Sequence, residues 1–304
     1  MDPVTRDFYE ERRRSWRRSA FWRGFLVAAV ILGLIAAAVG FSGGPPSGQH
    51  IARLYVTDII FSDRARTRLI GEIGESDAAR ALIIHIDSPG GTVVGSEELY
   101  LALRDVAQEK PVVAVLNGVA ASGGYIAALG ADHVVARGNT ITGSIGVIFE
   151  YLTFTGLMER LGVDVETIRS SDLKAAASPY RDLSPEARAA ERDMVEDTFR
   201  WFRDLVGERR DLAGAELAAV TDGRTFTGRM ALESGLVDAL GGEEVSLSHL
   251  ESLDSSLTDL PVETWQVERD DEGVFGFFGK LGVFGAGFPT LRVPEGPRLM
   301  AILN

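Results

Sequence analysis

The feature that most constrains this chain is a repeated change of hydrophobic period between residues 51 and 137. Four runs, IARLYVT (51–57), ALIIHID (81–87), PVVAVLNG (111–118) and HVVAR (133–137), are short and rich in β-branched residues or leucine, and read as buried strands. Between them, residues 92–108 are apolar at helical spacing through Val93, Leu99, Leu101, Leu103 and Val106, and residues 119–129 run into a helix of small residues. VDVETIRS (163–170) reads as a further strand. A long helix is predicted from Ser184-Pro185-Glu186, cap and first turn, to about Arg210. Such alternation predicts an α/β fold, a mostly parallel sheet flanked by helices, with residues 51–267 as one domain. No long repeat period runs along the chain, which argues against a solenoid or propeller.

The termini have a different character. FLVAAVILGLIAAAVGF, residues 25–41, carries no charge. As a helix it would reach about 25 Å, a little short of a hydrocarbon core of about 30 Å, and Phe21 and Trp22 could extend it while Arg23 snorkels. Arginines crowd the preceding segment (Arg6, Arg12, Arg13, Arg14, Arg17, Arg18, Arg23) and none follows closely. The positive-inside rule then puts residues 1–24 in the cytoplasm, 25–41 in the inner (cytoplasmic) membrane as a single-pass anchor, and the body on the extracytoplasmic side. A cleaved secretory signal ending near Ala36, Ala37 and Ala38 is the rival reading, disfavoured by the length of the arginine-rich segment. Residues 42–50 read as a linker. Residues 268–304 form a C-terminal extension. Its GVFGFFGKLGVFGAGF stretch (273–288) suits either an apolar patch or a packing loop, and its PRLMAILN end either docks into a neighbour or frays.

Formal net charge is −13 although the first 24 residues are net positive, so the body is more acidic still and a poor partner for nucleic acid. There are no cysteines, which excludes disulfides, thiolate metal sites and a thiol nucleophile.

Two glycine-rich turns fall at the ends of strands expected to be neighbours. Asp87-Ser88-Pro89-Gly90-Gly91 precedes the helix at Thr92, and Ala120-Ala121-Ser122-Gly123-Gly124-Tyr125 opens the next helix. Ligands of open α/β sheets bind beyond the carboxyl ends of strands. Backbone N–H groups of glycines and helix starts can stabilise a developing oxyanion beside a serine. A serine at a helix start is more often only a cap, and a Gly-Gly turn also suits phosphate. The acyl-transfer reading needs a base.

The histidines (His50, His85, His133, His249) sit in no recognisable motif, and structural roles suit them better. A triad through His85 and Asp87 is a rival, but strand side chains do not aim at a serine in the turn. Lysine is scarce: Lys110, Lys174 and Lys280 are the only ones. Lys110 ends a helix at a commonly solvated position. Lys174, beside Leu173, Ala175, Ala176 and Ala177, has small apolar neighbours that permit burial, and burial lowers a lysine's pKa. A neutral lysine can take the proton of a serine hydroxyl, although a solvated loop lysine fits the same residues.

The motif order DSPGG (87–91), GVAASGGY (118–125), TITGSIGV (140–147), LKAAASPYRDLSPEAR (173–188) and DGRTFTGRMALESGLVDALGG (222–242) resembles the signal peptide peptidase A (SppA) family in its short, single-copy form. The resemblance covers about residues 51–245 and implies a Clp protease/crotonase-like fold. By position it implies Ser122 as nucleophile and Lys174 as general base, with Ser144 orienting the lysine. It also implies an oxyanion hole of backbone N–H groups around Gly90 and Gly91, together with Gly123. It implies neither metal nor organic cofactor, a homo-oligomeric ring that completes the Ser-Lys pair across a subunit boundary, and signal peptide remnants or other apolar peptides as substrates. Leu173 and Ala175 depart from the aromatic and acidic residues that many relatives carry there. Three other readings stay open on the sequence: a related membrane protease with another protein substrate, a non-catalytic scaffold, and a crotonase-like acyl-CoA enzyme.

Overall fold

Strand formation starts where the sequence is most continuously apolar. The structure, a computed structural model, describes Trp22, Phe25, Leu26, residues 48–267 and residues 300–302. The chain divides into two units, Met1–Ser47 and Gly48–Asn304. In the first, the Trp22 and Phe25 rings meet edge to face at 5.8 Å. The anchor expected over 25–41 lies outside the described residues apart from Phe25 and Leu26. Among the described residues no helix is long and apolar enough to cross a membrane. The 268–304 extension lies outside them except at 300–302.

In the second unit β1 (His50–Thr57) is followed by α1 (Arg64–Glu75), β2 (Ala79–Ser88), β3 (Gly90–Thr92) and α2 (Val93–Ala107). Next come β4 (Val112–Ala121), α3 (Gly123–Ala128), β5 (His133–Ala136), β6 (Ile141–Gly143) and α4 (Thr155–Leu161). The long α5 (Pro185–Arg210), α6 (Gly214–Val220), β7 (Thr225–Thr227), α7 (Gly228–Glu233), β8 (Ala239–Leu240), α8 (Glu243–Leu253), β9 (Val262–Thr264) and β10 (Met300–Ile302) complete the order.

The main sheet runs β7-β6-β4-β2-β1-β9, with β5 beside β4 and β8 beside β5. Its pairs are parallel except β6–β7. β2 is central and covered on both faces: Leu82, Ile83, Ile84 and Ile86 are fully buried, each contributing about 1.5–3 kcal/mol of apolar burial. One face packs on α1, α2, α3 and the C-terminal half of α5, the other on α8.

β4 serves two neighbours on one edge. Its first half pairs with β5 and its last three residues pair with β6, after a register shift against β2 between Ile86 and Ser88. That irregularity carries β4 past the 111–118 expected from sequence, to Ala121. Asp87 holds the bend by accepting from the Val119 N–H at 3.0 Å.

Three sequence expectations are corrected. His50 is not in a linker; it is buried at the start of β1, where Trp265 Nε1 donates to its Nε2 at 3.0 Å. Residues 163–170 form no strand: Val163, Val165 and Ile168 are exposed and no neighbouring strand takes up the backbone. Lys110 is not simply solvated, because its Nζ donates to the Ile73, Ser76 and Ala79 carbonyls, each at 2.8 Å, and closes the end of α1. Burial holds its pKa below the usual lysine value.

Candidate active site

Parallel pairing decides what meets at the edge of the sheet. β2, β4 and β6 are neighbours pointing the same way, so Ser88-Pro89-Gly90, Ser122 and Ser144 leave the sheet side by side. The edge is the carboxyl end of the strands, where open α/β sheets bind ligands.

Ser122 is the hinge between β4 and α3. Its N–H donates to Gly143 O at 2.8 Å, tying it to β6, and its carbonyl accepts from the Tyr125 and Ile126 N–H groups at 2.9 Å each. To make both turns at once the residue takes φ 53° and ψ −114°, a left-handed conformation costing on the order of 1–3 kcal/mol for a residue with a Cβ. The side chain does not repay that cost, for Ser122 is buried and its Oγ has no hydrogen-bond partner among the described residues. An unpartnered buried hydroxyl costs about a further 1–3 kcal/mol. No other buried side-chain oxygen or nitrogen among the described residues is in that position.

The surroundings hold this turn tightly. A Cβ at Gly124 would lie 2.7 Å from Ser88 O, so only glycine lets α3 start against the end of β2. Tyr125, fully buried, donates from its hydroxyl to Leu236 O at 2.7 Å, and burial pushes its phenol up. Across the edge, Ser88 Oγ donates to Asp58 O at 2.5 Å and receives the Gly90 N–H at 3.1 Å. Gly90 O and Thr92 N bond to Ile60 N and Ile60 O at 2.8 and 2.9 Å, so the N–H and C=O of Gly91 between them face the other way. A Cβ at Gly91 would lie 1.9 Å from Ile60 O. Of the two candidate donors, Gly90 has its N–H engaged by Ser88, and Gly91 turns its N–H to the side where β10 pairs with β3, Ala301 opposite Gly91. Ser88 was missed in the sequence; its place between strand and Gly-Gly was the available signal.

Ser144 follows β6 with φ 49°, its N–H donating to Arg224 O at 2.8 Å. Its half-buried hydroxyl makes no hydrogen bond among the described residues. Lys174 lies in a turn after residue 171, and is exposed. The turn is held by arginines: Arg169 Nη1 donates to Asp172 O at 2.8 Å, and Arg181 Nη2 to Ala175 O at 2.5 Å. The Lys174 ammonium makes no hydrogen bond or ion pair among the described residues, with Ser122 and Ser144 included. The chain thus brings Ser122, Ser144 and the Gly90-Gly91 turn to one edge and leaves the lysine unengaged.

The histidines are occupied elsewhere. His85 Nε2 meets Glu243 Oε2 at 2.6 Å and its ring stacks on Tyr55, while Asp87 holds the β4 backbone, so the two form no triad with Ser122. His133 stacks on His249 with centroids 3.7 Å apart. Among the described residues no group of three or more His, Asp or Glu could hold a metal ion.

A serine on a strained strand-to-helix turn, with glycine amides beside it, is an arrangement found in hydrolases that pass an acyl group through an enzyme hydroxyl. Comparison with known proteins narrows the class. The chain belongs to peptidase family S49, whose profile matches residues 104–256. A protein of Methanocaldococcus jannaschii named as a protease is 31% identical over 277 residues, 86% of this chain and 88% of that one. One from Synechocystis sp., also named as a protease, is 40% identical over 64% of this chain and 71% of its own. A signal peptide peptidase SppA of Enterococcus faecium is 33% identical over 63% of this chain and 56% of its own. The chain is thus a peptidase of the SppA type, as its motif order implied.

Proposed function

We propose that this protein is a membrane-anchored serine endopeptidase with a Ser-Lys dyad, acting on signal peptide remnants and other apolar peptides. The observation that carries the reading is the buried Ser122 hydroxyl, kept without a hydrogen-bond partner among the described residues, on a strained turn at the common edge of three parallel strands. Stability alone gives no reason to keep it; a hydroxyl waiting for a base and a carbonyl does.

In the proposed reaction Lys174 Nζ, in its neutral form, takes the Ser122 proton as Oγ attacks the peptide carbonyl carbon. Ser144 orients the amine. The Gly91 and Gly123 N–H groups receive the oxyanion, each donor being worth about 10²–10³ in rate. The C–N bond then breaks, the lysine returns its proton to the leaving amine, and an acyl-Ser122 ester remains. Water, deprotonated by the same lysine, releases it. No metal or organic cofactor enters.

Lys174 must reach Ser122 from somewhere, and a second copy of the chain is the proposed means. Leu152, Phe154, Leu157, Leu161, Val163, Val165, Ile168 and Leu173, all in the segment that carries the lysine, are exposed. A ring of copies would cover these side chains and bring the amine of one subunit to the hydroxyl of the next. The anchor over 25–41 would fix that ring to the inner membrane, catalytic domain outside and N-terminus in the cytoplasm. Its apolar substrates would come from the bilayer.

The test is labelling of Ser122 by an acylating active-site probe, followed by mass spectrometry. Wild type should label at Ser122, while Lys174→Ala should label far more slowly and remain folded. Equal labelling of the two proteins would reject the dyad.

A further inference from the structure

Two glycines in a row determine little of their own backbone direction, so other groups must fix where their amides point. Gly90 has φ 118°, a region that glycine alone enters readily, and neither residue has a Cβ to limit rotation of the peptide between them. That peptide carries the Gly90 carbonyl and the Gly91 N–H, which point opposite ways in a trans unit. Ile60 sets its direction from one end: the Ile60 N–H donates to Gly90 O at 2.8 Å and so sends the Gly91 N–H to the other side.

Ile60 in turn has to be held, and Ser88 is placed to hold it. Ser88 is fully buried. Its hydroxyl donates to Asp58 O at 2.5 Å, and Asp58 takes φ 62° in the turn that carries the chain from β1 to Ile60. The same oxygen accepts the Gly90 N–H at 3.1 Å. Ser88 therefore grips the glycine turn twice, directly at Gly90 and through the Asp58–Ile60 turn on its far side. The Ser88 carbonyl bears on the other turn as well, since a Cβ on Gly124 would come within 2.7 Å of it. The Ile60 bonds would join the strands by themselves; what the Ser88 hydroxyl adds is a fixed direction for the peptide between Gly90 and Gly91.

We infer that Ser88 is a positioning residue for the proposed acyl transfer: its hydroxyl holds the glycine turn so that the Gly91 N–H is aimed before the oxyanion forms. The inference rests on the peptidase reading. Donors fixed in advance stabilise developing charge without reorganising at the moment of reaction. A misplacement of about 1 Å in such a site costs about 10²-fold in rate. The uncharged ground state gains little from an aligned donor, so loss of the hydroxyl is felt where negative charge builds on the carbonyl oxygen.

The experiment compares the full chain with its Ser88→Ala variant, using a fluorogenic apolar peptide and the matching peptide aldehyde. The aldehyde carbon bonds to Ser122 Oγ, the hydroxyl proton passes to Lys174, and the former carbonyl oxygen is left as an anion facing the glycine amides. In the variant kcat should fall about 10- to 100-fold with KM within about twofold, and aldehyde affinity should fall by a similar factor. The number of aldehyde sites per chain should stay that of wild type. A merely structural role would instead lose sites as molecules unfold and leave the affinity of the rest unchanged. Labelled substrate peptide should bind Ser122→Ala, with and without Ser88→Ala, equally well by fluorescence anisotropy. If Ser88→Ala does not fold, Ser88→Cys, with a weak S–H donor in the same place, should show a smaller fall in the same direction. Wild-type kcat and aldehyde affinity in a folded variant, or loss of fold in both variants, would overturn the inference while leaving the peptidase intact. A wild-type protein that neither cleaves the peptide nor takes up the aldehyde would sink the functional reading itself, and this inference with it.

Discussion

The strand edge around Ser122 and the segment from about residue 150 to 182 around Lys174 are built on opposite principles. At the edge every backbone direction is determined by neighbours: Ser122 N–H by β6, Gly124 by Ser88, Gly91 by Ile60. In the other segment one short helix, α4, buries no side chain, and Ile168 is 96% exposed. Even α5 follows this division. Its last turns bury Phe202, Leu205 and Val206 and its Arg209 and Arg210 reach loop carbonyls, whereas in its first half Ala187 alone is buried. The contrast teaches that one chain preorganises the Ser122 hydroxyl and the glycine amides beside it but not the Lys174 amine. Preorganisation needs a packed sheet behind it, and the lysine segment has none until something covers it.

The comparison can be broken most directly by activity. Ser122→Ala should lower peptide cleavage by a factor on the order of 10⁴ or more, yet leave the melting temperature unchanged or slightly raised, because it removes a buried hydroxyl that has no partner among the described residues. Lys174→Ala should cost a similar factor with no loss of fold stability beyond about 0.5 kcal/mol, since its side chain is exposed. A melting temperature that drops sharply in either variant would mean the side chain is structural.

Next in size is Gly91→Ala, which forces a methyl into Ile60 O and should destabilise by about 1–3 kcal/mol or more in denaturant melts. An alanine at Gly156, which has open space around it, should be neutral within about 0.5 kcal/mol. Equal effects would erase the distinction between the two regions. Ile168→Glu sharpens it from the other side. Thermal stability should be unaffected, while sedimentation should report smaller assemblies and cleavage should fall with them. Unchanged sedimentation would remove the segment from the proposed subunit boundary.

The smallest effect is acid sensitivity of the sheet region. Burial, and then the charge of His249, hold the His133 pKa below its ordinary value of 6.5, with Asp238 opposing and Arg210 adding to the shift. A lowered folded pKa contributes stability that is complete above 6.5 and is lost as pH falls towards the folded value. The melting temperature should therefore decline below about pH 6.5. His133→Gln should flatten that decline, and an identical slope would show that the histidine pair is not its source.

The parts that sequence reading captured and the parts it missed have separate physical causes. Runs dense in β-branched residues and leucine made β1, β2, β4 and β5 legible, and the Ser184-Pro185-Glu186 start marked α5 to within a residue. Strands of two or three residues, β6 to β9, are too short for any period to appear. Valines at 163 and 165 mimicked a strand because exposed apolar residues cannot be told from buried ones without knowing what covers them. Two of the candidate site segments sat after obvious strands, so their meeting at one edge followed from parallel topology. The register shift that sends β4 on to Ala121 and the pairing of β10 with β3 both depend on long-range contacts that local pattern does not encode.

The left-handed backbone at Ser122, Ser144 and Ala175 has a consequence for how such a protein can change over time. At each of these positions glycine would sit with less torsional penalty than the residue present. Selection for heat resistance alone would therefore drift towards glycine at 122 and 144, producing a sturdier protein that had mislaid its hydroxyls. Laboratory evolution towards higher melting temperature, with no requirement for turnover, should find those two replacements among its first solutions.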